Sequence, residues 1–250
     1  MPVPFHPKKH RERALVTAAA FHRYHAKHAG TALPKPPPKV VLVFGSRWRA
    51  YLNRRYGGRF DRYTGVFRVN ESVGICRISG PGAPFATIVV EELAALGVRE
   101  FIIVGLAGSL RPDLRVGSLV LCRKALRDEG TSYHYAGPSD YARPSPRLVA
   151  RVKRALVRER IHFAEGPTWT TDAPYRETRA ELRRYRRMRI VTVEMEASAV
   201  FAAAAHLGRS AAALFVISDH LEEQGWKPRF HDTTSGLRQA LGVALTAFGA

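Results

Sequence analysis

Short apolar runs that alternate with amphipathic segments are the feature that most constrains the fold of this chain of 250 residues. From Lys39 onward, runs such as KVVLVF, REFIIVG and SAAALFVIS are typical of strands buried on both faces of a sheet. Between the strands, the pattern predicts helices near 48–56, 85–96, 145–158, 177–187, 195–206 and 235–248. Strands that alternate with helices predict an α/β fold whose central sheet is covered on both faces.

The remaining apolar runs complete this prediction. VFRV and GICRIS flank a polar turn near 70–72 and indicate a β-hairpin, while VGSLVLC, HFAEGP and RIVTVE indicate further strands. Residues 1–38 differ in character, because a histidine-rich segment with helical character precedes PKPPP, which stops a helix and favours a stiff linker. We therefore predict an N-terminal helical appendage with a proline-rich linker (1–38) and one larger domain (39–250).

The charge of the chain raises the question of a nucleic-acid partner. There are 40 Lys and Arg residues against 21 Asp and Glu, a formal net charge of +19, and a basic surface is the first sign of a nucleic-acid-binding protein. The basic residues are scattered, however, and no zinc-finger or RNA-recognition pattern accompanies them. The densest run, ELRRYRRMRI, is more typical of the solvated face of a helix than of a polyanion-binding surface. We therefore expect no nucleic-acid partner.

Cysteine content and the apolar segments favour a cytoplasmic location without a membrane partner. Two cysteines, Cys76 and Cys122, cannot form a disulfide framework. The basic N-terminus is followed by no apolar signal segment, and polar residues interrupt the longest apolar stretch, 197–216, well before it could cross a bilayer. The histidines His22, His25 and His28 recur every third residue, which spreads them around a helix, so we predict no metal site.

In open α/β sheets, ligands bind where strands end and loops begin. Three such junctions are rich in glycine: 44–49, 79–84 and 105–109. The first also carries Arg47 and Arg49, so it could offer both backbone N–H groups and guanidinium groups to an anion. Each glycine junction taken alone is also consistent with a simple change of chain direction.

Acidic residues mark two further strand ends. Glu194 and Glu196 flank Met195 between a predicted strand and an apolar helix. One carboxylate there could cap the helix, but two acids fit better with a hydroxylated ligand such as a diol, because a carboxylate accepts from two vicinal hydroxyls. Ser218 and Asp219 end the next predicted strand. Asp219 could act as a general acid if burial raises its pKa, or it could cap a turn.

Taken together, the segments GPGAPFATIVVEELAALGVREFIIVGLAGSLRPDLRVGSLVL, VEMEASAV and ISDH resemble the nucleoside phosphorylase superfamily. This family includes hexameric purine nucleoside phosphorylases, uridine phosphorylases and related nucleosidases. The similarity runs in order from about Lys39 to the C-terminus, and the combination of E-M-E with the later S-D is its most specific part. The resemblance implies a three-layer αβα fold with a central mixed, twisted sheet, in which 39–250 form the catalytic domain.

The resemblance also implies roles for individual residues. Glu196 would hold the ribose 2′- and 3′-hydroxyls, Met195 would pack against the sugar, and Asp219 would lie beside the base as a catalytic residue. The other implied contacts are made to the substrate by Gly80, Gly82, Gly105, Gly108, Tyr175 and Ser218, and to phosphate by Gly45, Arg47 and Arg49. Inorganic phosphate would be the co-substrate, with no other cofactor. Relatives complete each site with residues of a neighbouring subunit, which implies a homo-oligomer, a dimer or a hexamer.

The nature of the base follows from the chemistry of the leaving group. A purine departs once N7 is protonated, and an aspartate can deliver that proton. Uridine phosphorylases resemble each other in having arginine, not aspartate, at the position of Asp219. The segment 128–135, DEGTSYHY, resembles the D-G-x-S-x-H-F segment of uridine phosphorylases and points the other way. We give the aspartate at position 219 more weight than this segment and predict a purine nucleoside as substrate.

Two departures from the family pattern concern the phosphate. Ile103 and Leu106 stand where phosphorylases carry an arginine and a serine or threonine that hold phosphate. Losing two such contacts, each worth roughly 1.5–3 kcal/mol, would weaken phosphate binding about 100-fold or more. Nucleosidases lack the arginine as well and use water, for which Glu194 is the nearest candidate base. Arg47, Arg59 or Arg62 could instead supply the missing contacts.

Three hypotheses follow from the sequence. The leading one is a phosphorylase that converts a purine nucleoside and phosphate into the free base and ribose 1-phosphate, with Asp219 and Glu194 as catalytic residues. The alternative is a hydrolytic nucleosidase on the same scaffold. The third is a relative that binds a nucleoside or a nucleic acid without catalysis.

Overall fold

The computed structural model describes residues 9–30, 32–45, 47–58 and 60–250. The helices are α1 (Ala18–Ala29), α2 (Arg47–Tyr56), α3 (Ala83–Ala95), α4 (Pro146–Arg158), α5 (Arg179–Arg187), α6 (Ala197–His206) and α7 (Thr234–Phe248). The strands are β1 (Lys39–Phe44), β2 (Val66–Arg68), β3 (Val73–Ile78), β4 (Glu100–Ser109), β5 (Leu119–Asp128), β6 (Tyr141–Ala142), β7 (Phe163–Thr171), β8 (Thr192–Glu194), β9 (Ser210–Glu222) and β10 (Gly225–Pro228). Within these ranges, no helix has the length and apolar character needed to cross a membrane.

All of these strands belong to one mixed sheet, which confirms the predicted fold class. Its order is β10-β9-β5-β7-β8-β4-β1-β3-β2, with β6 paired to β5. Strands β1, β3, β4 and β9 are parallel to one another, whereas β8 runs antiparallel to β4. Because β4 also pairs with β9, the strands β9, β5, β7, β8 and β4 close into a ring. The sheet therefore curves strongly around the carboxyl end of β4.

Helices cover both faces of the sheet and make the fold three-layered. Strand β4 shows the alternation of a fully buried strand, because Ile102 and Val104 belong to one apolar cluster while Phe101 and Ile103 belong to the other. The first cluster includes side chains of α2, α4 and α7, and the second includes side chains of α3 and α6. Burial of these apolar side chains is the main force that holds the helices on the sheet.

The N-terminal helix packs against the domain. In α1, the His22 side chain is 3% exposed. Its Nδ1 lies 2.7 Å from the Tyr63 hydroxyl, and its Nε2 lies 2.9 Å from the Glu92 carbonyl oxygen of α3. His22 of the predicted helical appendage is therefore buried, and both of its ring nitrogens find partners in the domain. The proline-rich segment is also attached, since the Pro38 carbonyl accepts from Arg99 N at 2.7 Å.

The arginine-rich run on α5 is largely a solvated helix face, as the sequence predicts. Arg183, Arg184 and Arg187 are exposed. Arg186 is the exception, because its guanidinium donates to the carbonyl oxygens of Leu110 and Leu221 at 2.7 and 2.9 Å. This side chain ties α5 to the ends of β4 and β9.

Two sequence predictions of strand ends are wrong. The glycine-rich segment 105–109 is not a turn, because β4 continues to Ser109 and is paired there with both β8 and β9. Asp219 does not end its strand either, since β9 continues to Glu222 and forms a hairpin with β10. Neither β10 nor β6 is predicted from sequence. Glycine is compatible with the end of β4 because other strands approach closely on both sides.

Gly166 is an example of such a close approach, and it generates a stability prediction. A Cβ added at Gly166 in β7 would lie 2.2 Å from Val191 Cγ2 and 3.1 Å from Val191 Cβ. We expect Gly166→Ala to lower the free energy of unfolding by about 1–3 kcal/mol, as overpacking does. Urea unfolding measures this change, and Val191→Ala in the same chain is expected to recover part of it.

Gly242 in α7 provides the matched control. No described atom other than the backbone of its own helix turn and its chain neighbours lies within 4 Å of a Cβ added there. Gly242→Ala is therefore expected to stabilise the protein by about 0.5–1 kcal/mol, because alanine favours a helix over glycine. Equal effects of the two substitutions would contradict the predicted clash with Val191.

Candidate active site

The carboxyl ends of the parallel strands bring the predicted site residues together. Gly108 of β4 pairs with Val193 of β8 on one side and with Asp219 of β9 on the other. Glu194 is the last residue of β8, and Met195 and Glu196 follow it directly. The structure thus places the acids of the E-M-E segment and Asp219 on opposite sides of the same strand, β4, although they are far apart in sequence.

Glu194 is held by hydrogen bonds to both of its carboxylate oxygens. Oε2 accepts from the backbone N–H groups of Glu196 and Ala197 at 2.9 and 2.8 Å, at the start of α6. Oε1 accepts from the Thr170 hydroxyl of the neighbouring strand β7 at 2.5 Å. Burial, together with the neighbouring charge of Glu196, raises the pKa of Glu194. This geometry is that of a buried helix cap.

Glu196 connects the start of α6 with the start of α3. Its Oε1 accepts from the Gly82 N–H at 2.7 Å, and Gly82 is the residue that precedes α3. The side chain is 8% exposed, and burial raises its pKa. The backbone N–H groups of Gly82 and Met195 act on this carboxylate and partly oppose the effect of burial. Gly82 thus anchors one oxygen of Glu196.

Asp219 is oriented by two donors from different elements. The Ser218 hydroxyl donates to Oδ1 at 2.5 Å, and the Trp226 indole N–H of β10 donates to Oδ2 at 2.7 Å. Gly108 lies against the same carboxylate, because a Cβ there would be 2.8 Å from Asp219 Oδ2. Asp219 is 6% exposed. A carboxylate has about four lone-pair positions, so these two bonds leave room for a ligand donor.

A cavity of about 490 Å³ opens between these groups. Its size lies in the range of small-molecule sites. The predicted residues in its lining are Gly108, Tyr175, Glu194, Met195, Ser218 and Asp219. The aromatic residues of its wall are Tyr175, Trp226 and Phe230. Its ionisable residues are four acids and one arginine: Glu177, Glu194, Asp219, Glu222 and Arg179. The cavity of this strongly basic chain is therefore predominantly acidic.

Several predicted residues lie outside this lining. Gly45, at a φ of +88°, donates its N–H to the Ile78 carbonyl at 3.1 Å, and Arg49 is exposed on α2. The Arg47 side chain and all of Arg59 lie outside the described residues. The predicted residues Gly80, Gly82, Gly105 and Glu196 also do not line the cavity.

The two departures from the family pattern occupy apolar surroundings. Ile103 is completely buried in the apolar cluster beneath α3 and α6. Leu106 lines the cavity and packs against the opposite cluster. Neither side chain offers a hydrogen-bond donor to an anion, so any phosphate contact at this point has to come from other residues.

The segment 128–135, which resembles uridine phosphorylases, forms a scaffold rather than a wall of the cavity. Arg127, 5% exposed, donates to the Ser132 hydroxyl at 2.8 Å and to the Gly137 carbonyl at 2.8 Å. Glu129 accepts from Ser132 N at 2.9 Å and from the Ser198 hydroxyl of α6 at 2.8 Å. This buried network positions α6.

Several residues of the cavity wall have no role predicted from the sequence, three of them with aromatic or acidic side chains near Asp219. Glu177, Trp226 and Phe230 all line the cavity. Trp226 lies in the polar segment EEQGWKPRF. A large aromatic residue in a polar segment is the sequence signal that could have indicated a ligand contact. Glu177 lies two residues after the predicted site residue Tyr175, and no role is predicted for it from the sequence.

Comparison with known proteins identifies the family of this chain. The family model described as the phosphorylase superfamily matches residues 49–248. A guanosine phosphorylase from Halorubrum lacusprofundi is 32% identical over 143 residues, 57% of this chain and 59% of that protein. A uridine phosphorylase from Treponema pallidum is 32% identical over 222 residues, 83% of this chain and 84% of that protein. The chain spans about three fifths of the length of the first curated relatives that it matches.

The fold agrees with these matches. The crystal structure of an AMP nucleosidase from Bacteroides thetaiotaomicron superposes with a TM-score of 0.76 at 18% identity, covering 94% of this chain and 97% of that chain. At this identity, the match shows a shared fold. The family model covers most of the chain, and the Treponema pallidum relative matches 83% of it at 32% identity. The chain therefore belongs to the phosphorylase superfamily, as the sequence resemblance predicts.

Proposed function

We propose that this protein cleaves the N-glycosidic bond of a purine nucleoside with inorganic phosphate, giving the free base and ribose 1-phosphate. One observation carries the proposal: Asp219, oriented by Ser218 and Trp226, and the Met195–Glu196 segment lie on opposite sides of β4, and Met195 and Asp219 line the same cavity. This arrangement offers one group to a base and another to a sugar. Curated relatives include a guanosine phosphorylase and purine nucleoside phosphorylases, beside uridine phosphorylases.

On the sugar side, Glu196 is the proposed ribose ligand. In this proposal its carboxylate accepts from a ribose hydroxyl, while the Gly82 N–H holds Oε1 in place. Cleavage of the glycosidic bond develops positive charge on the sugar. Carboxylates of the acidic cavity stabilise this charge as it forms, because electrostatic interactions are strong in a site that excludes water.

On the base side, Asp219 is the proposed carrier of the proton to purine N7. Protonation removes the negative charge that would otherwise build up on the departing base. Trp226 and Ser218 fix the orientation of the carboxylate, so the proton is delivered along one direction. Tyr175, Trp226 and Phe230 provide apolar and aromatic surface against which a flat base can stack.

The proposed phosphate subsite lies at the carboxyl end of β1, where Gly45 and Arg49 are found. Since Ile103 and Leu106 contribute no donors, additional cations have to complete this subsite. Arg47, Arg62 or an arginine of a neighbouring subunit would do so. Because a neighbouring subunit could supply this cation, we propose a homo-oligomer, a dimer or a hexamer. We also propose a cytoplasmic location.

Hydrolysis is the second candidate, and the apolar character of Ile103 and Leu106 favours it. It requires a base that activates water. Glu194 is the candidate that the sequence offers, but both of its oxygens already accept hydrogen bonds from the protein. We therefore assign Glu194 to the positioning of α6, and this assignment favours phosphorolysis over hydrolysis.

The role of Asp219 is tested by substitution. Asp219→Asn keeps the size of the side chain but removes the proton carrier, so base release from inosine or guanosine is expected to fall by about 100-fold or more. Chromatography of the released base measures this. Asp113→Asn, an exposed aspartate paired with Arg111, serves as the matched control. Unchanged turnover in the Asp219 variant would refute the assignment.

The acceptor is tested by the dependence on phosphate. Base release is expected to require inorganic phosphate and to produce ribose 1-phosphate in equal amount. Chromatography of base and sugar products, with and without phosphate, measures both quantities. Release at an unchanged rate without phosphate, with free ribose as product, would establish the hydrolytic alternative instead.

The role of Glu194 is tested by two substitutions. Glu194→Gln retains an amide oxygen for the N–H groups of Glu196 and Ala197, so turnover is expected to stay within about 10-fold of the wild type. Glu194→Ala leaves these buried groups unpaired and is expected to lower the free energy of unfolding by about 3 kcal/mol. Steady-state kinetics and urea unfolding measure the two effects. A Glu194→Gln protein that is stable but inactive would identify Glu194 as a catalytic base.

A further inference from the structure

A second cavity, of about 980 Å³, lies between the N-terminal segment and the domain. It shares no lining residue with the cavity of the candidate active site. One of its walls is formed by residues between 9 and 19, and the family model begins only at residue 49. This wall therefore belongs to a part of the chain outside the family match, and it has no role in the proposed function.

A second wall of this cavity is one face of α3. The lining residues Pro84, Thr87, Ile88 and Glu91 recur at the spacing of residues that share a helix face. A short 3-10 helix, Thr131–His134, and the end of α6 contribute the remaining lining on the side of the domain. The cavity is thus built from the N-terminal segment and from rigid elements of the domain.

Two polar side chains in this lining have buried atoms without hydrogen-bond partners. Thr87 is 2% exposed, and its Oγ1 has no partner among the described residues. The Nε of Arg209 has none there either, whereas its Nη2 donates to the Ala94 carbonyl oxygen at 3.5 Å. A buried donor without an acceptor costs free energy, which a ligand that supplies acceptors recovers. The lining is therefore complementary to a ligand rich in acceptors.

The cations of the cavity favour an anion as this ligand. Lys9 and Arg13 line the cavity from the N-terminal segment, and Arg209 lines it from the domain. Burial, followed by the charge of Lys9, lowers the pKa of His134, so the N-terminal cation acts on the domain side of the cavity. Guanidinium and ammonium groups match a phosphate group, which accepts several charge-assisted hydrogen bonds at once.

The remaining lining residues favour an organic group attached to this phosphate. The acids of the lining are Glu12 and Glu91, and Glu91 accepts from the Tyr135 hydroxyl at 2.6 Å. The apolar residues Val16 and Ile88 also line the cavity and are 83% and 52% exposed. The cavity is of the size of small-molecule sites and much larger than a phosphate ion. A phosphate monoester would cover the apolar residues, which inorganic phosphate leaves in water.

We propose that this cavity is a second binding site, for the phosphate group of a small organic monoester, in which Lys9, Arg13 and Arg209 hold the phosphate and α3 contacts the organic part. The site is separate from the candidate active site, so the inference goes beyond the proposed function and requires no catalysis. It also gives the N-terminal segment a role, because this segment supplies two of the three cations.

Calorimetric titration of the full chain with phenyl phosphate tests the proposal. This probe joins a phosphate monoester to a flat apolar group, and the wild type is expected to bind it at least about 10-fold more tightly than inorganic phosphate. The double variant Lys9→Gln/Arg13→Gln is expected to bind it at least about 10-fold more weakly, because two charge-assisted contacts are lost. Both substitutions lie outside the family match and leave the core of the domain unaltered.

Arg154→Gln is the matched control, because it removes a positive charge from an exposed residue of α4 outside the cavity lining. It is expected to leave the affinity for phenyl phosphate unchanged. Unchanged affinity in the Lys9→Gln/Arg13→Gln protein as well would overturn the proposal. Equal affinities for phenyl phosphate and inorganic phosphate, both lowered in the double variant, would support the phosphate site and assign inorganic phosphate as its occupant.

Arg49→Gln separates this inference from the proposed function. Arg49 belongs to the proposed phosphate subsite and does not line the second cavity, so its substitution is expected to leave the affinity for phenyl phosphate unchanged. Binding that is lost in Arg49→Gln but retained in Lys9→Gln/Arg13→Gln would place the ligand in the active site and overturn the inference. Binding that depends on Lys9 and Arg13 supports the second site even if no base is released from any nucleoside.

Discussion

The buried carboxylate of Glu194 is the group on which the geometry of the site depends. It accepts the backbone N–H groups that open α6 and the hydroxyl of Thr170 on the neighbouring strand. These bonds fix the direction in which the chain leaves β8, and so determine where Met195 and Glu196 lie. A charged oxygen at a helix N-terminus also interacts favourably with the helix dipole. Thr170 Oγ1 also accepts from the Ser198 N–H, and Glu129 accepts from the Ser198 hydroxyl, so α6 is held from two sides.

The second constraint is the crowded carboxyl end of β4. Gly108 is paired on both sides, and a side chain at this position would meet the Asp219 carboxylate, Val193 and Leu221. Because Gly108 has no Cβ, β8 and β9 lie close to the end of β4, and Met195 and Asp219 line the same cavity. Trp226 then completes the site from β10, a strand that exists because β9 continues beyond Asp219. The close packing of the Gly108 backbone against the Asp219 carboxylate thus determines where this carboxylate lies.

Charge is distributed unevenly over this molecule. The chain carries a formal charge of +19, yet carboxylates dominate the cavity, with Arg179 as the guanidinium in its lining. An acidic cavity suits a neutral nucleoside whose sugar becomes positive during cleavage, whereas a polyanion would be repelled from it. The exposed arginines of α5 and the scattered basic residues affect solubility and long-range attraction of anions, including phosphate, more than they affect binding inside the cavity.

Periodicity and local motifs were sufficient to predict the fold class, most helices and two acidic residues of the candidate site. Alternating apolar and amphipathic segments determined the α/β class and most helices, because burial of apolar surface depends on spacing that is visible along the chain. The E-M-E and S-D segments located Glu196 and Asp219 for the same local reason. Pairing between distant strands decided the rest: Gly105–Ser109 is strand rather than turn, Asp219 lies within β9, and Trp226 and Glu177 reach the cavity. These features depend on which strands meet at the end of β4, and hydrogen bonds between segments far apart in sequence leave no periodic signal in either one.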